Sequence, residues 1–159
     1  MKLVKNENEK NLENKVSDEE AEQAFVKIIK YIGEDPSREG LLKTPYRVAK
    51  SWNFLTKGYR EDLDTIVNNA IFHEDYDEMV TLRGIDFESH CEHHIALITG
   101  KAFVAYLPKN KVVGISKLAR VVDTYARRFQ VQEKMTKQIA NSIEEVLQPK
   151  GVGVVIVAR

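Results

Sequence analysis

Residues 79–94, MVTLRGIDFESHCEHH, carry the change of period that decides the fold. Val80 and Leu82 alternate with polar neighbours. After Gly84 the alternation resumes as Ile85, Phe87 and Ser89 against Asp86, Glu88 and His90, so the stretch reads as a strand whose face switches at a bulge near Gly84. Residues 100–107 (GKAFVAYL) read as a second strand, residues 108–111 (PKNK) as a turn, and Val112 and Val113 as the start of a third strand. These three read as one antiparallel sheet. Residues 151–158 (GVGVVIVA), rich in β-branched side chains, read as a further, buried strand.

Away from these strands the period is helical. Ser17, with Glu20 three residues later, forms a capping box ahead of Ala21, Ala24, Phe25, Ile28 and Ile32, and Gly33 ends that helix. Residues 34–40 (EDPSREG) read as a loop, because Pro36 disfavours helix at Asp35. Thr44 as N-cap and Pro45 at the first helical position open a second helix, with Val48, Ala49, Trp52 and Leu55 on one face, up to Gly58. Ser116 reads as the cap of a third helix carrying Leu118, Val121, Val122 and Tyr125. A fourth, with Met135, Ile139, Ile143 and Val146, runs to Pro149. The order of two helices, three strands, two helices and a strand predicts an α+β fold, its helices lying over one face of an antiparallel sheet. Residues 1–16 read as a flexible polar arm, 17–58 as an N-terminal helical pair and 79–159 as the sheet-and-helix part.

Composition narrows the function. The chain has 159 residues, 43% hydrophobic, enough for one core. No apolar run approaches the roughly 20 residues of a membrane span, and the charged N-terminus is not signal-like, so a cytoplasmic protein without membrane attachment is expected. The 24 Lys and Arg balance 24 Asp and Glu, which argues against a nucleic-acid binder working through overall charge. That zero is uneven: residues 1–100 hold 13 basic and 20 acidic side chains, residues 101–159 hold 11 and 4. The basic excess is either a solvated helix face or a local anion site. The single cysteine, Cys91, excludes an internal disulfide framework and suits a reducing compartment.

Three of the four histidines and that cysteine fall in His90-Cys91-Glu92-His93-His94, directly after a strand. Imidazoles bring polar atoms that a core must satisfy, so such crowding points to chemistry rather than packing. Cys91 and His94, three apart, can share one Zn²⁺, but zinc takes four ligands, and His73 on a polar linker is a poor third. A packed thiol beside surface histidines is the competing reading. His93 is a candidate general acid or base, because imidazole as a residue type titrates near neutral pH. Ser116, Lys117 and Arg120, at a helix N-terminus, offer a hydroxyl, an ammonium and a guanidinium for a triphosphate-sized anion. Tyr125, Ala126, Arg127 and Arg128 read as structural or interfacial. Gln132 and Glu133, read from the residues alone, are solvated polar positions that could also face a base. Together these groups suggest hydrolysis of a phosphorylated small molecule.

Residues 91–94 (CEHH), 100–140 (GKAFVAYLPKNKVVGISKLARVVDTYARRFQVQEKMTKQIA) and 33–52 (GEDPSREGLLKTPYRVAKSW) resemble GTP cyclohydrolase I, in order and over long motifs. The resemblance implies a T-fold (tunnelling fold), a toroidal homo-oligomer, decameric in bacterial members, and active sites at subunit interfaces. It also implies the conversion of GTP to 7,8-dihydroneopterin triphosphate and formate, the first step towards tetrahydrofolate or tetrahydrobiopterin, with a zinc-activated water attacking C8 of guanine. Carried over by position, Cys91 and His94 match two of three zinc ligands, and His93 a catalytic histidine. Ser116, Lys117 and Arg120 match triphosphate contacts, and Arg47 and Lys50 resemble further phosphate-side positions. Gln132 and Glu133 match guanine-recognising positions, and Glu92 joins the substrate-binding set.

One departure stands out. In the family the last strand continues into His-x-Cys-Met and an Arg-Gly, which supply a second catalytic histidine, the third zinc ligand and another phosphate-binding arginine. The 159 residues stop before that segment, so the expectation is a C-terminally shortened chain with an incomplete zinc site and little or no activity. The alternative function is that of a catalytically dead relative acting as a nucleotide-binding or oligomer-forming subunit.

Overall fold

A computed structural model describes residues 16–67 and 70–159. The polar arm expected at residues 1–16 lies, Val16 apart, outside the described residues. The chain divides into two compact units, residues 1–54 and 55–159.

In the first unit, helix α1 (Asp18–Tyr31) begins where the capping box placed it. The Glu20 backbone N–H donates to Ser17 Oγ, and the Ser17 N–H donates to the Glu20 carboxylate. Three acidic residues in the first turn suit the positive end of the helix dipole. Gly33 ends the helix in the left-handed region at φ 88°, and the Glu34 N–H reaches back to the Ile29 carbonyl. Helix α2 (Thr44–Leu55) starts at Thr44 itself, one residue earlier than a Thr44 cap requires, and buries Pro45 and Ala49.

The second unit holds the sheet. After a single 3₁₀ turn at Lys57–Tyr59 and the short helix α3 (Leu63–Val67) come β1 (Ile71–His73), β2 (Val80–Cys91), β3 (Leu97–Leu107) and β4 (Lys111–Val113). Helix α4 (Ile115–Ala126), β5 (Phe129–Gln130), α5 (Gln132–Leu147) and β6 (Gly151–Ala158) follow. The main sheet has the order β5-β2-β3-β6. β2, β3 and β6 pair antiparallel, whereas the two-residue β5 lies parallel to β2, setting Gln130 beside Cys91. The bulge is present: the β2–β3 register shifts between Leu82 and Ile85, where Gly84 has φ 72°.

Helices α4 and α5 cover one face of this sheet, α4 against β2 and α5 against β6. Phe87, Ala102, Val104, Tyr106 and Ile156 from the strands meet Leu118, Val122, Met135, Ile139 and Leu147 from the helices. Full burial of a Val, Leu or Ile side chain contributes about 1.5–3 kcal/mol, so this layer fixes the helices on the sheet.

Three expectations change. Val112 and Val113 do not extend the main sheet; β4 pairs with β1 in a separate two-stranded sheet, which also places His73 on a strand rather than a linker. β6 is an edge strand, with Val155 and Val157 59% and 57% exposed, so its β-branched run is buried on one face only. Gly114, not Ser116, is the N-cap of α4, and Ser116 lies inside the first turn without a capping bond. The Gly114 N–H is tied to the Ala70 carbonyl, and this fixes the entry of the chain into α4.

Candidate metal and nucleotide site

β2 delivers the chain to Cys91 at the end of the main sheet, and the next five residues form a closed turn. The Cys91 N–H donates to the Ala96 carbonyl and the Ile95 N–H to the Cys91 carbonyl, each at 2.8 Å. Closure puts Ile95 at φ 58°, a left-handed conformation that a β-branched residue adopts only at a cost of roughly 1–2 kcal/mol. Within this turn Cys91 Sγ and His94 Nδ1 face each other at 3.8 Å.

A tetrahedral zinc with Zn–S near 2.3 Å and Zn–N near 2.0 Å separates two ligand atoms by about 3.5 Å, so this pair fits the bite of one ion. Among the described residues, no group of three or more His, Cys, Asp and Glu side chains converges. His93 is exposed, and its ring meets that of His94 edge-on at 6.1 Å between centroids. His90 is buried; desolvation first, then the Arg127 charge, pushes it below the ordinary histidine value against the opposing pull of Glu88, so it is neutral at pH 7.

The turn rests against the start of α5. The Glu92 N–H donates to the Gln130 carbonyl at 3.0 Å, and the Glu92 carboxylate receives Lys134 Nζ at 3.0 Å. Gln132 is anchored, its Nε2 donating to the Ile156 carbonyl of β6 at 2.8 Å, and Glu133 stands exposed in the first turn of α5. Glu92 thus joins the Cys91 turn to the end of β5 and to the first turn of α5, the helix end that also carries Gln132 and Glu133, and the joined segments form a ledge.

That ledge depends on β5, and β5 depends on the turn at 57–59. The Gly58 N–H donates to the Arg127 carbonyl at 3.1 Å, Arg128 Nε to the Gly58 carbonyl at 2.8 Å, and the Phe129 N–H to the Tyr59 hydroxyl at 3.0 Å. The buried Arg128 guanidinium lies 4.7 Å from the Tyr125 ring centroid. Gly58 approaches so closely that an added Cβ would stand 1.9 Å from the Thr124 carbonyl oxygen.

Ser116, Lys117 and Arg120 sit together in the N-terminal half of α4. The opposite end of α4 leads into β5, so the ten residue steps from Ser116 to Ala126 put about 15 Å of helix between the hydroxyl and the Cys91 turn. A single chain thus does not bring its anion end and its Cys91–His94 pair together. An open groove of about 700 Å³ on the same strands is lined by Asp86, Glu88, Lys101 and Arg127, and by none of the candidate residues. Arg47 and Lys50 belong to α2 of the first unit, where Lys50 Nζ lies 5.9 Å from the Tyr46 ring centroid. Lys134 and the turn at 57–59 escaped sequence reasoning: an exposed lysine reads as a solvated charge, and a Gly-Tyr pair after a helix reads as a stop.

Comparison with known proteins adds a family. The family profile described as GTP cyclohydrolase I matches residues 21–159. The chain is 55% identical over 141 residues to "GTP cyclohydrolase 1" of Campylobacter curvus, covering 89% of this chain and 74% of that protein. It is 52% identical over 152 residues to "GTP cyclohydrolase 1" of Rattus norvegicus, covering 96% of this chain and 61% of the relative. The Alkalilimnicola ehrlichii protein of that name is 55% identical over 141 residues, with 76% of its length covered. The chain spans less than two thirds of the rat relative. Among solved structures, the archaeosine synthase QueF-Like in its apo form is similar at TM-score 0.46 and 23% identity, covering 49% of this chain and 77% of that one.

Proposed function

Because the chain belongs to the GTP cyclohydrolase I family, a family of enzymes, we propose that it serves the conversion of GTP to 7,8-dihydroneopterin triphosphate with release of formate. The observation that carries this reading is the facing of Cys91 Sγ and His94 Nδ1 at 3.8 Å beside the Gln132–Glu133 end of α5. Cys91 and His94 would hold a zinc ion here as two of its ligands. Zinc held there supplies Lewis acidity and activation of a nucleophile. β6 runs antiparallel to β3 with Arg159 paired to Thr99, so its direction points towards Ala96 and the Cys91 turn.

The chain's own residues do the rest. The Glu133 carboxylate accepts from N1–H and the 2-amino group of guanine, which selects guanine over adenine, and Gln132, fixed on β6, packs beside it. His93, exposed next to the ligand pair, holds and moves a proton during ring opening. Glu92 borders the substrate. Ser116, Lys117 and Arg120 bind the triphosphate from the start of α4, and the family resemblance extends a phosphate-side role to Arg47 and Lys50. Since about 15 Å of helix separates this anion end from Cys91 in one chain, the complete site forms between subunits of a homo-oligomer, a decameric toroid with the T-fold sheets joined into a barrel. No helix among the described residues is long and apolar enough to cross a membrane. The reading places the enzyme in the cytoplasm, acting on a small molecule rather than on nucleic acid.

The test supplies GTP and zinc and follows dihydroneopterin triphosphate by fluorescence after oxidation. Turnover that disappears in Cys91→Ser and His93→Ala and shows a raised KM for GTP in Glu133→Ala supports the reading; turnover unchanged in Cys91→Ser refutes it. The alternative is a subunit that binds nucleotide without turning it over. GTP binding that is lost in Lys117→Ala, with no product formed, would select that alternative.

A further inference from the structure

The residues 91–96 turn is strained and not self-sufficient. Its closure forces Ile95 to φ 58°, and its two internal hydrogen bonds, Cys91 N–H to Ala96 O and Ile95 N–H to Cys91 O, are both backbone bonds at the end of the sheet. Something outside the turn has to hold it. Across the turn stands Lys134, third residue of α5, a position where a cation opposes the helix dipole. Its Nζ lies 3.0 Å from Glu92 Oε2, and the neighbouring Glu92 N–H is bound to the Gln130 carbonyl. The pair is partly exposed, 49% and 34%, so its contribution to global stability is small. Its placement is specific: it joins the residue between the two candidate ligands to the helix end that carries Gln132 and Glu133.

We propose that Lys134 is a positioning residue, which through Glu92 holds the strained turn so that Cys91 and His94 face each other in register with the first turn of α5. The proposal rests on the metal-and-guanine reading of this ledge and adds to it a device that fixes the distance between the two halves.

The test titrates the full chain with Co²⁺ as the metal probe. In parallel, it measures hydrogen exchange at the Glu92 amide without metal. Lys134→Ala is expected to weaken Co²⁺ binding about fivefold and to speed Glu92 exchange by a similar factor, while Tm stays within about 2 °C of the parent. Lys134→Arg retains parental behaviour, and the exchanged pair Glu92→Lys with Lys134→Glu recovers most of the loss seen in either single variant. Parental Co²⁺ affinity and exchange in Lys134→Ala overturn the proposal. So does a fall in Tm that Lys134→Arg does not rescue, which marks a merely structural lysine. If the parent binds no Co²⁺ through Cys91, the metal reading fails on its own, and Glu92 exchange with the charge-swap recovery decides the role of Lys134.

Discussion

Substituting Gly58 by alanine strikes the support of the candidate site without touching a candidate residue. The added Cβ would stand 1.9 Å from the Thr124 oxygen, 2.9 Å from the Arg127 oxygen and 3.0 Å from the Thr124 carbonyl carbon, all backbone atoms at the C-terminal end of α4 that cannot rotate away. The 57–59 turn must therefore withdraw, and with it goes the 3.1 Å bond to the Arg127 carbonyl, about 1 kcal/mol. The 2.8 Å bond from Arg128 to the Gly58 carbonyl goes too, and a hydrogen bond to a charged group contributes about 1.5–3 kcal/mol. Reduced freedom of the unfolded chain returns at most about 1 kcal/mol. The net loss is about 1.5–4 kcal/mol, large against a total stability of about 5–15 kcal/mol. Urea unfolding followed by circular dichroism measures it, with Gly153→Ala as control, since an added Cβ there meets nothing within 4 Å. A midpoint for Gly58→Ala equivalent to less than 1 kcal/mol of destabilisation would refute the reasoning.

Two further predictions concern the same unit. The Tyr125 hydroxyl bonds to Ser142 Oγ, which itself donates to the Gln138 carbonyl at 3.0 Å. Tyr125→Phe leaves Ser142 partnered and costs about 1 kcal/mol, whereas Ser142→Ala strands a buried hydroxyl and costs about 2 kcal/mol; equal losses in thermal unfolding would contradict the asymmetry. Asp62 precedes α3 and accepts from the Thr65 hydroxyl and from the Asp64 and Thr65 N–H groups. The Thr65 side-chain bond holds its carboxyl below the ordinary aspartate value, with desolvation opposing. A depressed folded-state pKa gives stability that is present above the unfolded value, about 4, and lost as pH falls through the folded one. Asp62→Ala should cost up to about 1 kcal/mol at pH 7, and parent and variant should converge in acid; a constant difference down to pH 2 would be inconsistent with this.

Much of the fold was legible because local signals agreed with the tertiary structure. The capping box at Ser17 and Glu20 started α1, and the alternation around Gly84 gave both β2 and its bulge. What stayed illegible lacks a local signal. β1 and β4 are three residues long and β5 is two, too short for a period, and β5 exists because Tyr59, Arg128 and Ser89 hold its backbone. β6 misled because a β-branched run looks the same whether one face or both are covered, and only the sheet order shows Val155 and Val157 facing out. At the site, Cys91 and His94 were found by spacing and do face each other. The distance from Ser116 to Cys91 follows from the length of α4 and the partner of β5, and no motif encodes that.

The central claim is that Cys91 and His94 share one metal ion, and Co²⁺ absorption spectroscopy on the intact chain tests it most directly. The expected result is one Co²⁺ per chain with a thiolate-to-metal charge-transfer band, the band lost in Cys91→Ser and affinity reduced at least tenfold in His94→Ala. A spectrum and affinity unchanged by both substitutions, or no Co²⁺ bound by the parent, would contradict it.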